Sequence, residues 1–329
     1  MPKQAVLLLA HGTPERVDQI PEYLRNVVSG RPLPQHVVEE IQHRYSLIGR
    51  SPLTEITLEQ GRLVEAELAA TGHATQVYVG MRNWRPYIPD VVRQMLADGV
   101  SEAAVLCMAP QNSRTSVGLY RRAVQAEAGD LRIDFTEGWA QHPLLAEAFA
   151  ERLRPALAKL TAEVGAPVPV LFTAHSVPTR TVEAPTAPAE ATQAQPRLWP
   201  GEATPDPYVD EARHTAALVA ERVPEILSWS FAFQSQGASG GPWIGPTVES
   251  RIDALAAEGA KTLILQPIGF LCDHVEILYD VDIYFRGYAA NLGIRLERPA
   301  SLNASPTLAK AVADLARQSL GRLRNVSVS

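Results

Sequence analysis

Short apolar runs alternate with longer amphipathic segments along most of the chain. Eight runs have the length and composition of buried strands. They lie at residues 5–9, 76–79, 103–108, 131–135, 168–172, 228–233, 263–265 and 294–296. Segments with apolar residues at the spacing of amphipathic helices cover residues 38–45, 53–71, 88–97, 116–127, 209–223, 252–258 and about 307–323. Because the connections are long enough for crossovers, we predict an α/β fold with parallel sheets.

The order of elements in the first half of the chain recurs in the second half. The first strand runs into His11, within the sequence AHGTP, and the fifth runs into His175, within AHSVP. Each half supplies four strands with helices between them. We therefore predict a duplicated α/β unit, with one domain at residues 1–165 and another at residues 166–329.

The segment TLILQPIGFLCDHVEILYDVDIYF, residues 262–285, changes from a strand pattern to a helix pattern. In its second half, apolar residues recur at helical spacing: Ile277, Leu278, Val281 and Phe285. Beside that stripe, four polar residues fall three or four positions apart: Asp273, Glu276, Asp280 and Tyr284. Like charges at this spacing destabilise a helix by roughly a few tenths of a kcal/mol per pair. Since a helix that accepts this cost needs a reason, we predict that its acidic face is functional.

Residues 181–207 are rich in proline, alanine and threonine and show little periodicity. This composition is typical of an exposed, mobile loop. Because the segment closely follows His175, it is also a candidate lid over a site at that histidine.

Composition and charge narrow the classes of function. The chain has 46% hydrophobic and 20% charged residues, as ordinary globular proteins do, and its net charge of −6 argues against nucleic acid as a partner. Its two cysteines are too few for a four-thiolate iron–sulfur cluster. No apolar run approaches the length of about 18 residues that a membrane span requires. We predict a cytoplasmic protein without an integral membrane segment.

The candidate chemistry lies where strands end. Ligands of doubly wound sheets bind at the carboxyl ends of the strands. His175 follows one such strand and the acidic helix follows another, so we expect His175 and Glu276 to lie at one edge. A neutral imidazole with nearby carboxylates can bind a borderline divalent metal and accept protons. Two or three ligands are too few for a closed structural site, so we predict an open, weak site that hands its metal on.

Several segments together resemble the ferrochelatases, enzymes that insert ferrous iron into a porphyrin. They are FTAHSVPTR (172–180), FAFQSQG (231–237), PWIGP (242–246), PIGFLCDHVEILYDVD (267–282), RYSLIGRSPL (44–53) and APQNSRTSVGLY (109–120). The resemblance implies two similar Rossmann-like domains, each with a parallel four-stranded sheet, and a porphyrin-binding cleft between them. It also implies that His175 and Glu276 are catalytic and bind the metal, with Asp280 as a possible relay for cations or protons.

The same resemblance implies the substrates. Six residues are expected to bind the porphyrin: His11, Arg31, Arg44, Tyr45, Ser51 and Tyr120. The chain is most similar to the Gram-positive-type enzymes, which implies coproporphyrin III as the porphyrin, with protoporphyrin IX as the alternative. Fe²⁺ is then a substrate, and neither a permanent cofactor nor an iron–sulfur cluster is expected.

Some features depart from the family pattern. Tyr284 stands where many members carry a further glutamate, which puts an outer metal-relay site in question. His11 stands where Gram-positive-type members often carry a tyrosine, and either side chain is able to ligate the product iron. The RYSLIGRSPL turn is one residue shorter, and the loop at residues 181–207 is longer, than is usual in the family.

Two other classes of function stay open. The Ala-His-Gly turn also occurs in smaller chelatases that act on sirohydrochlorin with cobalt or nickel, although those lack the DHVEILYD segment. A haem-binding carrier, with His11 or His175 as an axial ligand, is the non-enzymatic alternative. Such a carrier would bind haem tightly without metallating a free-base porphyrin.

Overall fold

A computed structural model describes residues 2–183, 205–237 and 241–326. The strands are β1 (Gln4–Ala10), β2 (Gln76–Met81), β3 (Glu102–Cys107), β4 (Arg132–Thr136), β5 (Val170–His175), β6 (Trp229–Gln234), β7 (Thr262–Pro267) and β8 (Arg295–Glu297). The helices are α1 (Ile20–Val27), α2 (Gln35–Ile48), α3 (Leu53–Ala70), α4 (Ile88–Ala97), α5 (Val117–Gln125), α6 (Pro143–Val164), α7 (Tyr208–Arg222), α8 (Val248–Ala257), α9 (Val275–Leu278), α10 (Arg286–Asn291) and α11 (Pro306–Val326). A π-helix, Asp280–Phe285, precedes α10.

The eight strands form two parallel four-stranded sheets, which confirms the predicted fold class. The strand orders are β2-β1-β3-β4 and β6-β5-β7-β8, so the two sheets repeat one topology. In the first sheet the chain passes from β1 to β2 on one side and then to β3 on the other side of β1. The second sheet repeats this with β5, β6 and β7. Ligands of doubly wound sheets bind at this switch point, which β1 and β5 occupy.

The two sheets share an apolar core. One cluster of buried side chains joins Leu8 of β1, Phe149 of α6 and Phe172 of β5. Helix α11 also contributes to this cluster and hydrogen bonds to the first sheet, where the Ser319 hydroxyl donates to the Asp134 carboxylate at 2.6 Å. Since a helix from the second half of the chain packs on the first sheet, the predicted division into two consecutive domains stays a prediction.

Helix α6 is a 22-residue helix in a stretch for which the sequence pattern predicted no element. Pro155 lies inside it. A proline in a helix interior removes a backbone hydrogen bond and usually argues against a helix. Burial of residues such as Leu145, Phe149 and Leu153 against the shared core compensates for that loss.

The predicted loop at residues 181–207 is described only at its two ends. Residues 184–204 lie outside the described ranges, so the predicted mobility and lid role stay predictions. The ends themselves lie together, because the Asp206 backbone N–H donates to the Val182 carbonyl at 3.3 Å.

The two longest helices of the described chain, α6 and α11, are long enough to span a bilayer but too polar to do so. A spanning helix needs about 20 residues that are predominantly apolar. Helices α6 and α11 have the length but carry charged residues such as Arg154 and Asp314. No helix in the described part of the chain combines sufficient length with sufficient apolar character to cross a membrane.

Candidate active site

The first histidine turn follows β1, which ends at Ala10. Gly12, two residues after the end of β1, has a φ of 75°. A Cβ at this position would lie 2.7 Å from the Cβ of Met81. Glycine is therefore required here both for its conformation and for its size, and the tight turn holds His11 at the carboxyl edge of the first sheet.

The second histidine turn brings the acidic segment against the end of β5. His175 is the last residue of β5. The loop after β7 passes so close to this strand that a Cβ on Gly269 would lie 3.0 Å from the Cα of Ala174. Because glycine permits this approach, the loop continues into α9 beside His175, and α9 carries Glu276.

Glu276 contacts two imidazoles, one through each carboxylate oxygen. His175 Nε2 lies 3.2 Å from Oε1, and His274 Nε2 lies 3.3 Å from Oε2. The other ring nitrogens face backbone carbonyls, that of Ser176 for His175 and that of Cys272, at 3.0 Å, for His274. Both nitrogens of His175 thus face acceptors, which favours its doubly protonated, charged form.

The charges of His175 and Glu276 stabilise each other. Burial alone would lower the pKa of His175, but the Glu276 carboxylate, with smaller contributions from the Ser176 carbonyl and Asp280, outweighs burial and raises that pKa above its ordinary value. Burial alone would raise the pKa of Glu276, but His175 and His274 bring it well below its ordinary range. The sequence predicted an imidazole near neutrality. The structure favours the charged imidazole more than the sequence predicted, because the Glu276 carboxylate lies in contact with His175.

The acidic face is not the single regular helix that its spacing predicted. Helix α9 begins two residues after Asp273, so this carboxylate precedes the helix and accepts a hydrogen bond from Ser301 at 2.6 Å. Further on, the Tyr284 N–H donates to the Tyr279 carbonyl, five residues back, at 2.9 Å, as in a π-helix. Single π-helical turns occur frequently at functional sites.

Asp280 is the second carboxylate of this segment, and it is only 5% exposed. The Ser235 hydroxyl donates to its Oδ2, and Arg44 Nη1 lies 3.4 Å from its Oδ1. Ser235 has a φ of 64°, which residues other than glycine rarely adopt. Burial raises the pKa of Asp280 to about 6, although the hydrogen bond from Ser235 opposes the rise. Asp280 therefore exchanges protons near neutral pH.

We expect Asp280→Asn to stabilise the fold at neutral pH. The pKa of Asp280 rises from 3.8 to about 6 on folding, so its ionisation lowers the free energy of unfolding by about 1–3 kcal/mol. Because folding raises the pKa of Asp280, its protonated carboxyl stabilises the folded state fully below about pH 4, and this contribution is lost as the pH rises through 6. Denaturant unfolding should show the variant to be more stable at pH 7.5, with a smaller difference at pH 5. An equal difference at both pH values would contradict this assignment.

His11 lies within electrostatic reach of the His175–Glu276 pair. Its Nε2 lies 2.8 Å from the Tyr23 hydroxyl. Burial lowers the pKa of His11 to about 4, and the charges of Glu276, His274 and His175 are near enough to contribute. His11 is therefore a neutral imidazole at pH 7, in contrast to His175.

Three further predicted porphyrin-binding residues lie on the same side as His11. Ser51 accepts a hydrogen bond from the Thr13 hydroxyl at 3.0 Å, within the first histidine turn. Tyr45 is 1% exposed and packs in one apolar cluster with Tyr23, the partner of His11. Tyr120 is also buried and lies near enough to Tyr23 to raise its pKa. The structure thus groups these residues around the first turn.

Arg31 lies away from this group. Its side chain is exposed, and its Nε donates to the Val28 carbonyl at 3.0 Å. None of its described contacts reaches the histidine turns or Glu276. Its predicted role in porphyrin binding therefore has no support from a described contact and stays a prediction.

Arg44 reaches across to the second half of the molecule. Its side chain contacts Asp280 and also Glu40, and its guanidinium lies 5.0 Å from the ring centroid of Tyr279. These residues line a pocket of about 490 Å³, and Glu249 of α8 lines it as well. The pocket lies beside Asp280, so it opens a route from solvent to the acidic segment.

Tyr284 lines the same pocket and is 46% exposed. Burial and the nearby Glu249 carboxylate raise the pKa of its hydroxyl above the ordinary value. A carboxylate is therefore present in the pocket although residue 284 is not acidic, because α8 supplies it. The spacing along residues 262–285 cannot reveal Glu249, which belongs to another helix.

Sequence reasoning missed three residues that fix the site: His274, Gln234 and Ser235. All three lie in segments that carry the family resemblance, which was the available signal. The Gln234 amide donates to the Glu276 carbonyl at 3.0 Å, so β6 holds the backbone of α9. A hydrogen bond between residues so far apart in sequence forms only in the folded chain and leaves no pattern in the local sequence.

The described residues contain no preformed metal centre. In residues 2–183, 205–237 and 241–326, no three or more His, Cys, Asp or Glu side chains are grouped so that they could hold a metal ion. Cys107 and Cys272 are both buried and unpaired as free thiols. Glu276 accepts one contact on each carboxylate oxygen, so each oxygen keeps a further lone pair that could bind a cation.

The fold defines the class of protein first. A solved structure of the sirohydrochlorin chelatase SirB from Bacillus subtilis subspecies spizizenii, in complex with cobalt, aligns with a TM-score of 0.55 over 96% of this chain and 95% of that chain. The two sequences are 11% identical, so the likeness concerns the fold alone. The two repeated parallel sheets thus have the fold of that chelatase structure.

Sequence comparison narrows the class to one family. The ferrochelatase family model matches residues 3–320. A ferrochelatase of Acidobacterium capsulatum is 60% identical over 98% of this chain and 96% of its own length. A coproporphyrin III ferrochelatase of Mycolicibacterium vanbaalenii is 34% identical over 96% of this chain and 89% of its own length. The chain belongs to the ferrochelatase family of enzymes.

Proposed function

We propose that this enzyme inserts Fe²⁺ into coproporphyrin III to give coprohaem, with His175 and Glu276 as its catalytic residues. The observation that carries the proposal is the contact of 3.2 Å between His175 and Glu276, within electrostatic reach of His11, in a chain of the ferrochelatase family. Fe²⁺ is a substrate in this proposal, and no resident cofactor takes part.

Insertion requires that two pyrrole protons leave the porphyrin. His175 begins as an imidazolium because Glu276 raises its pKa. A divalent cation that binds Glu276 weakens that attraction, so the pKa of His175 falls and its proton leaves. The neutral imidazole is then a base for a pyrrole proton. Arrival of the metal and activation of the base are thereby linked through one carboxylate.

Asp280 is suited to carry the released protons away. Its pKa of about 6 lies close to neutral pH, so it accepts a proton and returns it to solvent without a large barrier. It also lines the pocket of about 490 Å³, which supplies the path to solvent. We propose that protons pass from His175 toward Asp280 and the pocket, and that cations enter in the reverse direction, from the pocket past Asp280 to Glu276.

His11 has a different role in this proposal. Because burial keeps its pKa near 4, it stays neutral at working pH and does not repel a metal dication. It faces the porphyrin from the first half of the molecule, while Tyr45, Ser51 and Tyr120 line the same side. We propose that this half binds the ring and that the second half delivers the metal.

The choice of coproporphyrin III rests on two observations. Relatives such as that of M. vanbaalenii, at 34% identity, are named for it, whereas the relative at 60% identity is named only for ferrochelatase activity. Residues 15–35 are all described and contain none of the exposed large apolar side chains of the chain, so nothing there favours a membrane-bound, more apolar porphyrin.

We expect kcat/KM for coproporphyrin III to exceed that for protoporphyrin IX by about tenfold or more. Each additional hydrogen-bonded pair between a porphyrin carboxylate and the enzyme adds roughly 1 kcal/mol or more to binding. Absorbance assays of Fe²⁺ insertion with the two porphyrins, side by side, measure the ratio. Sirohydrochlorin with cobalt and preformed haem are the controls. A preference for protoporphyrin IX would reverse the choice, and tight haem binding without insertion would favour a carrier.

A further inference from the structure

Arg44 occupies an unusual position between the two halves of the molecule. Its guanidinium contacts two carboxylates through one nitrogen each: Nη1 lies 3.4 Å from Asp280, and Nη2 contacts Glu40. Its buried Nε has no hydrogen-bond partner among the described residues. Neither carboxylate therefore receives the two parallel hydrogen bonds that make arginine–carboxylate pairs strong.

The position of Arg44 along α2 connects it with the porphyrin side. Its neighbour in sequence, Tyr45, packs in the cluster with Tyr23, which hydrogen bonds to His11. Arg44 itself lines the pocket beside Asp280. One helix thus carries a residue on the proposed ring-binding side and a cation that neutralises the proposed relay carboxylate.

We propose that Arg44 is a positioning residue that makes delivery of the metal depend on bound porphyrin. Without porphyrin, Arg44 neutralises Asp280 and opposes entry of a second cation. A carboxylate of the porphyrin offers Arg44 a two-point hydrogen bond and draws it from Asp280. The freed Asp280 then attracts the metal cation from the pocket. This proposal rests on the proposed function and adds an order of binding, with porphyrin before metal.

Ligand chemistry supports the direction of this exchange. Coproporphyrin III and protoporphyrin IX both carry anionic carboxylates on flexible arms, which is the group that a guanidinium fork binds best. An opposite charge at 4–6 Å changes the proton affinity of a carboxylate by about tenfold or more, and we expect an effect of the same order on its affinity for a cation. Arg44 is partly exposed, so rearrangement of its side chain needs no opening of the core.

The test measures Zn²⁺ binding to the full chain by calorimetry, with Zn²⁺ as a redox-stable stand-in for Fe²⁺. Arg44→Met keeps the apolar stem of the side chain and removes its charge. We expect this variant to bind Zn²⁺ about tenfold more tightly than the unmodified protein. Arg93→Met, which removes an equal charge at an exposed pair with Asp90, should leave the affinity unchanged. In an Asp280→Asn background, Arg44→Met should have no effect.

The second arm loads the protein with a porphyrin that cannot be metallated. Sn(IV) coproporphyrin, with its carboxylates free, should tighten Zn²⁺ binding to the unmodified protein about tenfold. The same compound with its carboxylates converted to amides should not tighten Zn²⁺ binding. In Arg44→Met, neither of the two Sn(IV) porphyrins should tighten Zn²⁺ binding further. If Arg44→Met does not fold, Arg44→Lys serves instead. Lysine keeps the positive charge but lacks the two-point hydrogen bonding of a guanidinium. Without porphyrin, the Arg44→Lys variant should therefore bind Zn²⁺ as tightly as the unmodified protein does, and Sn(IV) coproporphyrin should tighten that binding less.

Three results would overturn the proposal: unchanged Zn²⁺ affinity in Arg44→Met, equal tightening by the amide, or an Arg44→Met effect that persists with Asp280→Asn. Fe²⁺ insertion by the unmodified protein is measured first. Absence of insertion refutes the proposed function as a whole. Normal insertion with any of the three results refutes only the role of Arg44.

Discussion

Replacing His175 with alanine is expected to lower the rate of metal insertion by at least about a hundredfold, which is the usual contribution of a positioned acid–base group. His175 is the imidazole that contacts Oε1 of Glu276 at 3.2 Å. Its loss removes the proposed acceptor of the pyrrole proton. It also leaves Glu276 with His274 as its imidazole partner. Steady-state insertion of Fe²⁺ or Zn²⁺ measures the loss in kcat.

The control for this prediction is His214→Ala. His214 is exposed on α7 and should be dispensable for insertion. Porphyrin binding by His175→Ala, followed by fluorescence quenching, should stay close to that of the unmodified protein because the proposed ring-binding residues lie in the other half. Insertion at the normal rate by folded His175→Ala would show that the catalytic assignment is wrong.

The second large effect is expected for Glu276→Gln, with a decrease of about a hundredfold, against a decrease of about tenfold for Asp280→Asn. Glu276 contacts both imidazoles and holds the charge that raises the pKa of His175. Asp280 acts one step farther from the ring in the proposed path. The two isosteric substitutions leave the shape of the site almost unchanged, so their order in kcat tests the path. The opposite order would refute the relay.

The pH dependence of insertion gives an independent check on Asp280. Its pKa of about 6 means that the ionised form, which attracts cations, disappears as the pH falls below 6. The rate with the unmodified protein should therefore decrease on that side of the profile. Asp280→Asn should lack this decrease and show a uniformly lower rate. Two profiles with the same acid limb would assign the limb to another group.

Much of the fold follows from local pattern. The eight strands were predictable because buried parallel strands are short apolar runs, and each run is bounded by its own turn residues. The two histidine turns were recognisable because the same order of elements occurs twice. Position at a strand end then placed His11 and His175 at ligand-binding edges before any contact was known.

The helix predicted for the acidic segment is present from Val275 on, but it contains a π-helix and excludes Asp273, because three-and-four spacing is compatible with more than one backbone path. The π-helix forms around Val281 and Phe285, which are buried against the second sheet. No element was predicted for the stretch of helix α6, where Pro155 disfavours a helix locally while burial in the shared core favours it. In both places tertiary packing decides between local alternatives.

The sequence by itself determined the succession of strands and helices in a duplicated α/β unit, the two histidine turns at strand ends and the resemblance to one family. Only the tertiary structure decided that Glu276 contacts two histidines, that Arg44 contacts Asp280 and that Glu249 lines the pocket. The physical reason is that strands and turns are set by neighbours along the chain. The contacts that set charge in the site join residues far apart in sequence, and burial then fixes their protonation.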